Sequence, residues 1–334
     1  MKLSLGLPHY GRESSPEVIA RFAHEAEQLD YDAVWALERL LRPLKLRSAP
    51  FPGWTPPAYY ANVYDPIETL TFVATKTQRI KLGTSVIDAL FHVPVMLARR
   101  LATLDHFSAG RVITGLGQGW SADEFETANV PMQRRGAGFE DFIGALRAAW
   151  SPDPVRYDGR FYKIPESEIG PKPLQPGGPL LLIGVMPTSN GPAARAGRLG
   201  LGLHPLMFDW TEIETLLRHF RTAASDAGQS AGPVIVRIND PVTETPVADR
   251  KPLSGAPEQI RDDLQRRTCR PPRIVLPRPW VAEDQQHPVC EHPRHLPARP
   301  GRQLAEKRML GVQRLVHLLG VERAPLARRQ RQPA

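Results

Sequence analysis

Side chains able to do chemistry are thinly spread along this 334-residue chain. There is no Gly-x-Ser-x-Gly elbow, no Ser/His/Asp arrangement and no pair of carboxylates spaced as an acid and its base. What stands out is a series of polar or small residues, each closing a short apolar run. These are His9-Tyr10, Glu38-Arg39, Thr84-Ser85-Val86, Gly117-Gln118-Gly119-Trp120, the stretch from Gly184 to Ser189, His204, and Asn239-Asp240. Glycine lets backbone approach a flat or phosphorylated ligand closely. Many glycines beside few acids and bases imply that a bound cofactor carries the reaction. His287-x2-Cys290-x-His292-x2-His295 has metal-ligating residue types. Its spacing fits no standard zinc module and its neighbours are prolines and arginines, so no metal is expected.

The elements that must position these residues alternate. Lys2–Leu7, Asp32–Leu37, Arg79–Val86, Arg111–Gly115, Pro179–Val185, Leu201–Leu206 and Pro233–Ile238 read as short, mostly apolar strands. Helices are expected between them. The first opens at Ser15-Pro16-Glu17, with Val18, Phe22, Ala26 and Leu29 at helical spacing. Apolar strands separated by amphipathic helices mean a parallel sheet covered by helices. Seven such units point to a closed (β/α)8 TIM barrel, whose reacting groups gather at the C-terminal ends of the strands. No Gly-x-Gly-x-x-Gly follows the first strand, which argues against a dinucleotide fold. The Pro- and aromatic-rich loop Arg42–Tyr60 is expected to act as a lid or substrate wall, and a small hairpin of Val155–Tyr157 and Arg160–Lys163 is expected within 151–178.

Charge divides the chain in two. Residues 266–334 hold 14 Arg and one Lys against five acids, a net +10, so the overall +8 leaves −2 for residues 1–265. That body is expected to be the barrel domain, and 266–334 an atypical Arg/Pro-rich tail. The tail either extends the barrel irregularly or comes from a shifted reading frame. Arg273–Pro277 could supply an eighth strand and Leu304–Leu319 an eighth helix. With one aromatic, Trp280, among ten prolines, the tail lacks the interleaved stacking rings of a nucleic-acid surface, so no nucleic acid is expected. No run approaches the roughly 18 apolar residues of a membrane span. No secretory leader is evident, and two cysteines make no disulfide framework, so a cytoplasmic protein is expected.

Residues 97–120, LARRLATLDHFSAGRVITGLGQGW, resemble the central signature of the bacterial luciferase-like monooxygenase superfamily. LSLGLPHYG, AEQLDYDAVWALERLL, RIKLGTSV, DPVRYDGRFY and PKPLQPGGPLLLIG fall in that family's order. The best-matching branch uses the deazaflavin coenzyme F420. The resemblance implies a TIM barrel with insertions, a ring cofactor at its C-terminal mouth, a small organic substrate and a homodimer. It implies hydride transfer with F420. FMN with dioxygen as a monooxygenase is the alternative, and a non-catalytic flavin-binding barrel a second one. The resemblance implies Glu38 as the catalytic residue, at the acidic position near the ring or substrate, to position or protonate the substrate, with Arg39 following where the branch has His. Thr84, Ser85 and Val86, with a non-proline cis peptide, back the ring. Gly117, Gln118 and Gly119 line its pocket, and Gly184, Met186, Thr188 and Ser189 match the phosphate region. His9, Tyr10, Trp120 and His204 are candidates for the substrate pocket, although His9, His92 and His204 suit packing or loop roles better than roles as bases. Trp35 and Trp150 are expected in the core.

Overall fold

The computed structural model describes residues 2–50, 52–186, 189–206, 209–240, 242–265 and 273–276. The expected helix 304–319, the His/Cys cluster, Thr188 and most of the tail lie outside these residues.

Eight parallel strands follow one another around a ring: β1 (Leu3–Gly6), β2 (Ala33–Ala36), β3 (Lys81–Thr84), β4 (Val112–Gly117), β5 (Leu180–Val185), β6 (Gly202–Pro205), β7 (Ile235–Arg237) and β8 (Arg273–Leu276). Each pairs with the next; β8 pairs back onto β1, with Ser4 opposite Val275. Parallel bridges Leu203–Val234 and Leu206–Arg237 join β6 to β7 and close the cylinder. The fold is the expected TIM barrel, and the tail's Arg273–Leu276 supplies its eighth strand.

Strand alternation sorts the side chains. Ala33, Trp35, Ile113, Leu182 and Ile235 form a small buried cluster of their own, apart from the large core between sheet and helices. Size complementarity fills it. Trp35 lies so close to Gly83 that a Cβ on Gly83 would sit 2.3 Å from its ring, and a Cβ on Gly202 would sit 2.3 Å from Leu182. The helices start where caps dictate. Ser15 caps α1 (Pro16–Gln28) and Asp65 caps α2 (Pro66–Ala74), each with proline in the first turn. α3 (Pro94–Phe107), α4 (Ala122–Thr127), α5 (Ala137–Trp150), α6 (Asn190–Arg198), α7 (Trp210–Asp226) and α8 (Pro257–Gln265) follow. A hairpin lies between α5 and β5 as expected, but Val155–Asp158 pairs with Lys163–Ser167 rather than with Arg160–Lys163, because the turn takes up residues 159–162. Its turn is pinned by Asp141 of α5, which accepts from Tyr157 Oη and the amides of Phe161 and Tyr162. Trp35 and Trp150 are both buried.

Candidate active site

A cavity of about 350 Å³ opens at the C-terminal ends of the strands. Its floor is the turn after β3, where the Ser85–Val86 peptide is cis, as the resemblance implies. The backbone there is tied on several sides. Ser85 N–H donates to Ala36 O (2.7 Å), Glu38 N–H to Val86 O (3.2 Å), and Arg237 Nη1 to Ser85 O (2.5 Å). The strand ends facing this turn must be glycine. A Cβ on Gly117 would lie 2.6 Å from Val86 Cγ2 and 2.5 Å from Asp88 Oδ1, and one on Gly184 would lie 2.7 Å from Val86 Cγ1. Any larger side chain would meet the turn that shapes the cavity.

Below this turn runs a chain of hydrogen bonds with only one consistent polarity. His204 stacks on Trp35, with centroids 5.1 Å apart, and burial pushes its pKa down to about 3. The neutral ring donates from Nδ1 to Ile235 O (2.6 Å). Nε2 must then accept, so the Ser85 hydroxyl donates to it (2.7 Å).

One wall is a compact cluster of charges. Glu38 Oε1 accepts from His92 Nε2 (2.8 Å), and Oε2 accepts from the Asp88 amide (2.8 Å). Arg39 reaches Glu124 Oε2 at 2.9 Å and Asp88 Oδ2 at 3.3 Å. Its guanidinium lies between the rings of Trp120 (5.3 Å) and Tyr60 (5.6 Å). Glu124 also accepts from the Leu40 amide at 2.8 Å, fixing the chain just ahead of the Arg42–Tyr60 loop. Burial raises the Asp88 carboxyl to about 7, against the pull of Arg39 and with help from Glu124 and Glu38. Burial likewise raises Glu124. Burial alone would lower Arg39; Asp88 and Glu124 outweigh it and raise its pKa.

The Arg42–Tyr60 loop adds Pro50, Trp54, Pro57, Tyr59 and Tyr60 to the lining, with Tyr60 against Arg39. Arg42 Nε donates to Pro56 O (3.1 Å) and Pro57 O (3.0 Å), stapling the loop across its own neck. Trp54 meets Trp120 edge-on at 4.9 Å. Among the described residues of the β5–α6 loop, Gly184, Met186 and Ser189 line the cavity. Gln118 is oriented by Arg195, whose Nη1 donates to Gln118 Oε1 (2.9 Å) while its Nε donates to Glu140.

Glu38, Ser85, Val86, Gly117, Gln118, Gly119, Trp120, Gly184, Met186, Ser189 and His204 thus converge on one cavity. Three expected residues do not line it. Thr84 is fully buried, and its hydroxyl both donates to Gly115 O and accepts from Gly115 N–H, so it joins β3 to β4. His9 is buried; its Nδ1 donates to Leu7 O and its Nε2 accepts from the Leu37 amide, so it fastens β1 to β2. Tyr10 stands behind the wall against Tyr59. Asp88, Glu124 and Arg237 carried no sequence motif. Asp88 lies only two residues beyond Val86, and Arg237 is the one charge in an apolar strand. His92, weighed as a packing residue, is a partner of Glu38.

The family described as luciferase-like monooxygenase matches residues 4–246. An F420-dependent glucose-6-phosphate dehydrogenase of Amycolatopsis mediterranei is 28% identical over 209 residues, covering 60% of this chain and 56% of that protein. The oxygenase component of a flavin-dependent trigonelline monooxygenase from Acinetobacter baylyi is 30% identical over 162 residues, covering 48% of this chain and 44% of that protein. The crystal structure of monooxygenase RslO1 from Streptomyces bottropensis superposes with a TM-score of 0.75 at 21% identity, covering 96% of this chain and 98% of that one.

Proposed function

The chain belongs to the luciferase-like monooxygenase family of F420- or flavin-dependent oxidoreductases, and on that premise we propose that it uses F420 to exchange hydride with a small organic substrate. The observation that carries this reading is the cavity itself. Its rims are cut back to glycine around the Ser85–Val86 turn, and most of its charged wall groups are already paired with one another. The space of about 350 Å³ suits a flat ring. Ser85, Val86 and Gly117–Gly119 would hold that ring, with Met186, Ser189 and the start of α6 next to its phosphate. Bound there, F420 would supply the hydride acceptor or donor.

The chain's own residues do the rest. Trp54, Tyr59, Tyr60 and Trp120 exclude water and orient the substrate. Glu38, fixed by His92 and the Asp88 amide, positions the substrate. A substrate hydroxyl that is oxidised must release a proton. Burial raises the Asp88 carboxyl of the wall to about 7, which suits it to take or return one near neutral pH.

FMN with dioxygen is the second reading, favoured by the match to a flavin-dependent monooxygenase. Absorbance titration with each cofactor separates the two. F420 binding tighter than FMN binding supports the proposal, and tight FMN binding without F420 binding overturns it. No helix among the described residues is long and apolar enough to cross a membrane. A cytoplasmic homodimer completes the proposal, with sedimentation equilibrium as the check on its stoichiometry.

A further inference from the structure

Three arginines line the cavity, and their surroundings differ. Arg39 is neutralised by Asp88 and Glu124. Arg237, at the end of β7, reaches across the mouth to Ser85 O and is steadied by Asn239 Oδ1 at 2.7 Å. No carboxylate among the described residues forms an ion pair with it. The other wall charges do not fill this role. Glu38 is held by His92, Asp240 pairs with Lys251 at 3.2 Å, and Arg135 is exposed at the outer rim. Arg237 is therefore a half-buried cation with N–H donors that no described residue takes up, in a cavity walled by Trp54, Tyr59, Tyr60 and Trp120. A guanidinium so placed favours a planar anion, bound through two N–H groups, over a neutral molecule of the same shape.

We infer that Arg237 determines substrate specificity, and that the substrate is a planar organic acid whose carboxylate it receives while the aromatic walls take the flat body. This rests on the cavity being the reaction site proposed above, and holds for either ring cofactor.

The test uses quenching of the protein's tryptophan fluorescence, since Trp54 and Trp120 line the cavity. The probes are 2-naphthoate and its neutral isostere 2-naphthamide, with glucose 6-phosphate as a non-planar anion. The expected result is naphthoate binding at least about tenfold tighter than naphthamide, the scale of one charge-assisted hydrogen bond. The preference should vanish in Arg237→Gln and be reduced but retained in Arg237→Lys, which keeps the charge without the planar fork. It should also persist in protein saturated with whichever cofactor binds. Equal affinities in the unaltered protein overturn the inference, without reliance on any variant folding. So does a preference kept by Arg237→Gln, or lost on cofactor saturation, which would give the cation to the ring. Glucose 6-phosphate binding tighter than naphthoate overturns the planar part. A naphthoate preference in a protein that binds neither cofactor would uphold this inference while ending the redox reading.

Discussion

Replacing Arg39 with methionine removes the guanidinium from a wall holding three carboxylates, and the structure fixes both the size and the pH dependence of the result. The Arg39 side chain is 11% exposed, and those of Asp88 and Glu124 are 5% and 1% exposed. Stripping the cation from such a pair leaves buried charge uncompensated, at a cost of about 3–5 kcal/mol. Asp88 and Glu124 already have raised pKa values, and loss of Arg39 pushes both higher. A carboxyl whose folded-state pKa exceeds its unfolded value contributes stability that is fully present at low pH. That stability is lost as pH climbs through the folded value. The penalty of Arg39→Met is therefore expected to be near its full size at pH 8 and to shrink clearly at pH 5, where the orphaned carboxyls are protonated. Adding Glu124→Gln should recover part of the loss at pH 8. Urea unfolding at both pH values is the assay, compared with the unaltered protein under the same buffers. A penalty equal at both pH values, or larger at pH 5, would refute the electrostatic account of this wall.

Other perturbations follow from the same geometry. Gly83→Ala should lower stability by about 1–3 kcal/mol in thermal melts, because the new methyl must displace the buried Trp35 ring; Trp35→Leu in the same chain should relieve it. Gly117→Ala should weaken cofactor binding at least about tenfold while leaving the far-ultraviolet circular dichroism unchanged, since its Cβ would strike Val86 and Asp88 at the cavity floor. His204 should stay neutral from pH 5 to pH 8, with the proton on Nδ1, as read by nitrogen-15 NMR. A titration near the ordinary histidine value would contradict its burial against Trp35.

The barrel was legible because its signals are local. Short apolar strands, proline-started helices and glycines at strand ends each follow from a few adjacent residues. The Arg42–Tyr60 loop was equally plain from its prolines and aromatic rings, and its Trp54, Tyr59 and Tyr60 line the cavity as a wall. Side-chain roles were harder, because they depend on partners distant in sequence. Thr84 and His9 stand at strand ends, as site residues do, yet their polar atoms are taken up by neighbouring backbone. Whether a residue at a strand end faces the mouth or fastens its neighbour depends on which side of the strand it occupies. Arg39 replaces the expected histidine, and a histidine reaches Glu38 from a separate loop, at His92. The Asp88–Arg39–Glu124 cluster joins positions up to 85 residues apart, and no window of sequence shows it.

The strand Arg273–Leu276 sits between β1 and β7, so the first strand to leave the ribosome waits for the last. Until that segment emerges, the open edges of Leu3–Gly6 and Ile235–Arg237 expose bare amides and carbonyls, a template for pairing with another nascent chain. Shortened forms that stop before residue 273 would carry this exposure permanently. The closing of both edges is thus tied to four residues in the chain's most basic and proline-rich stretch.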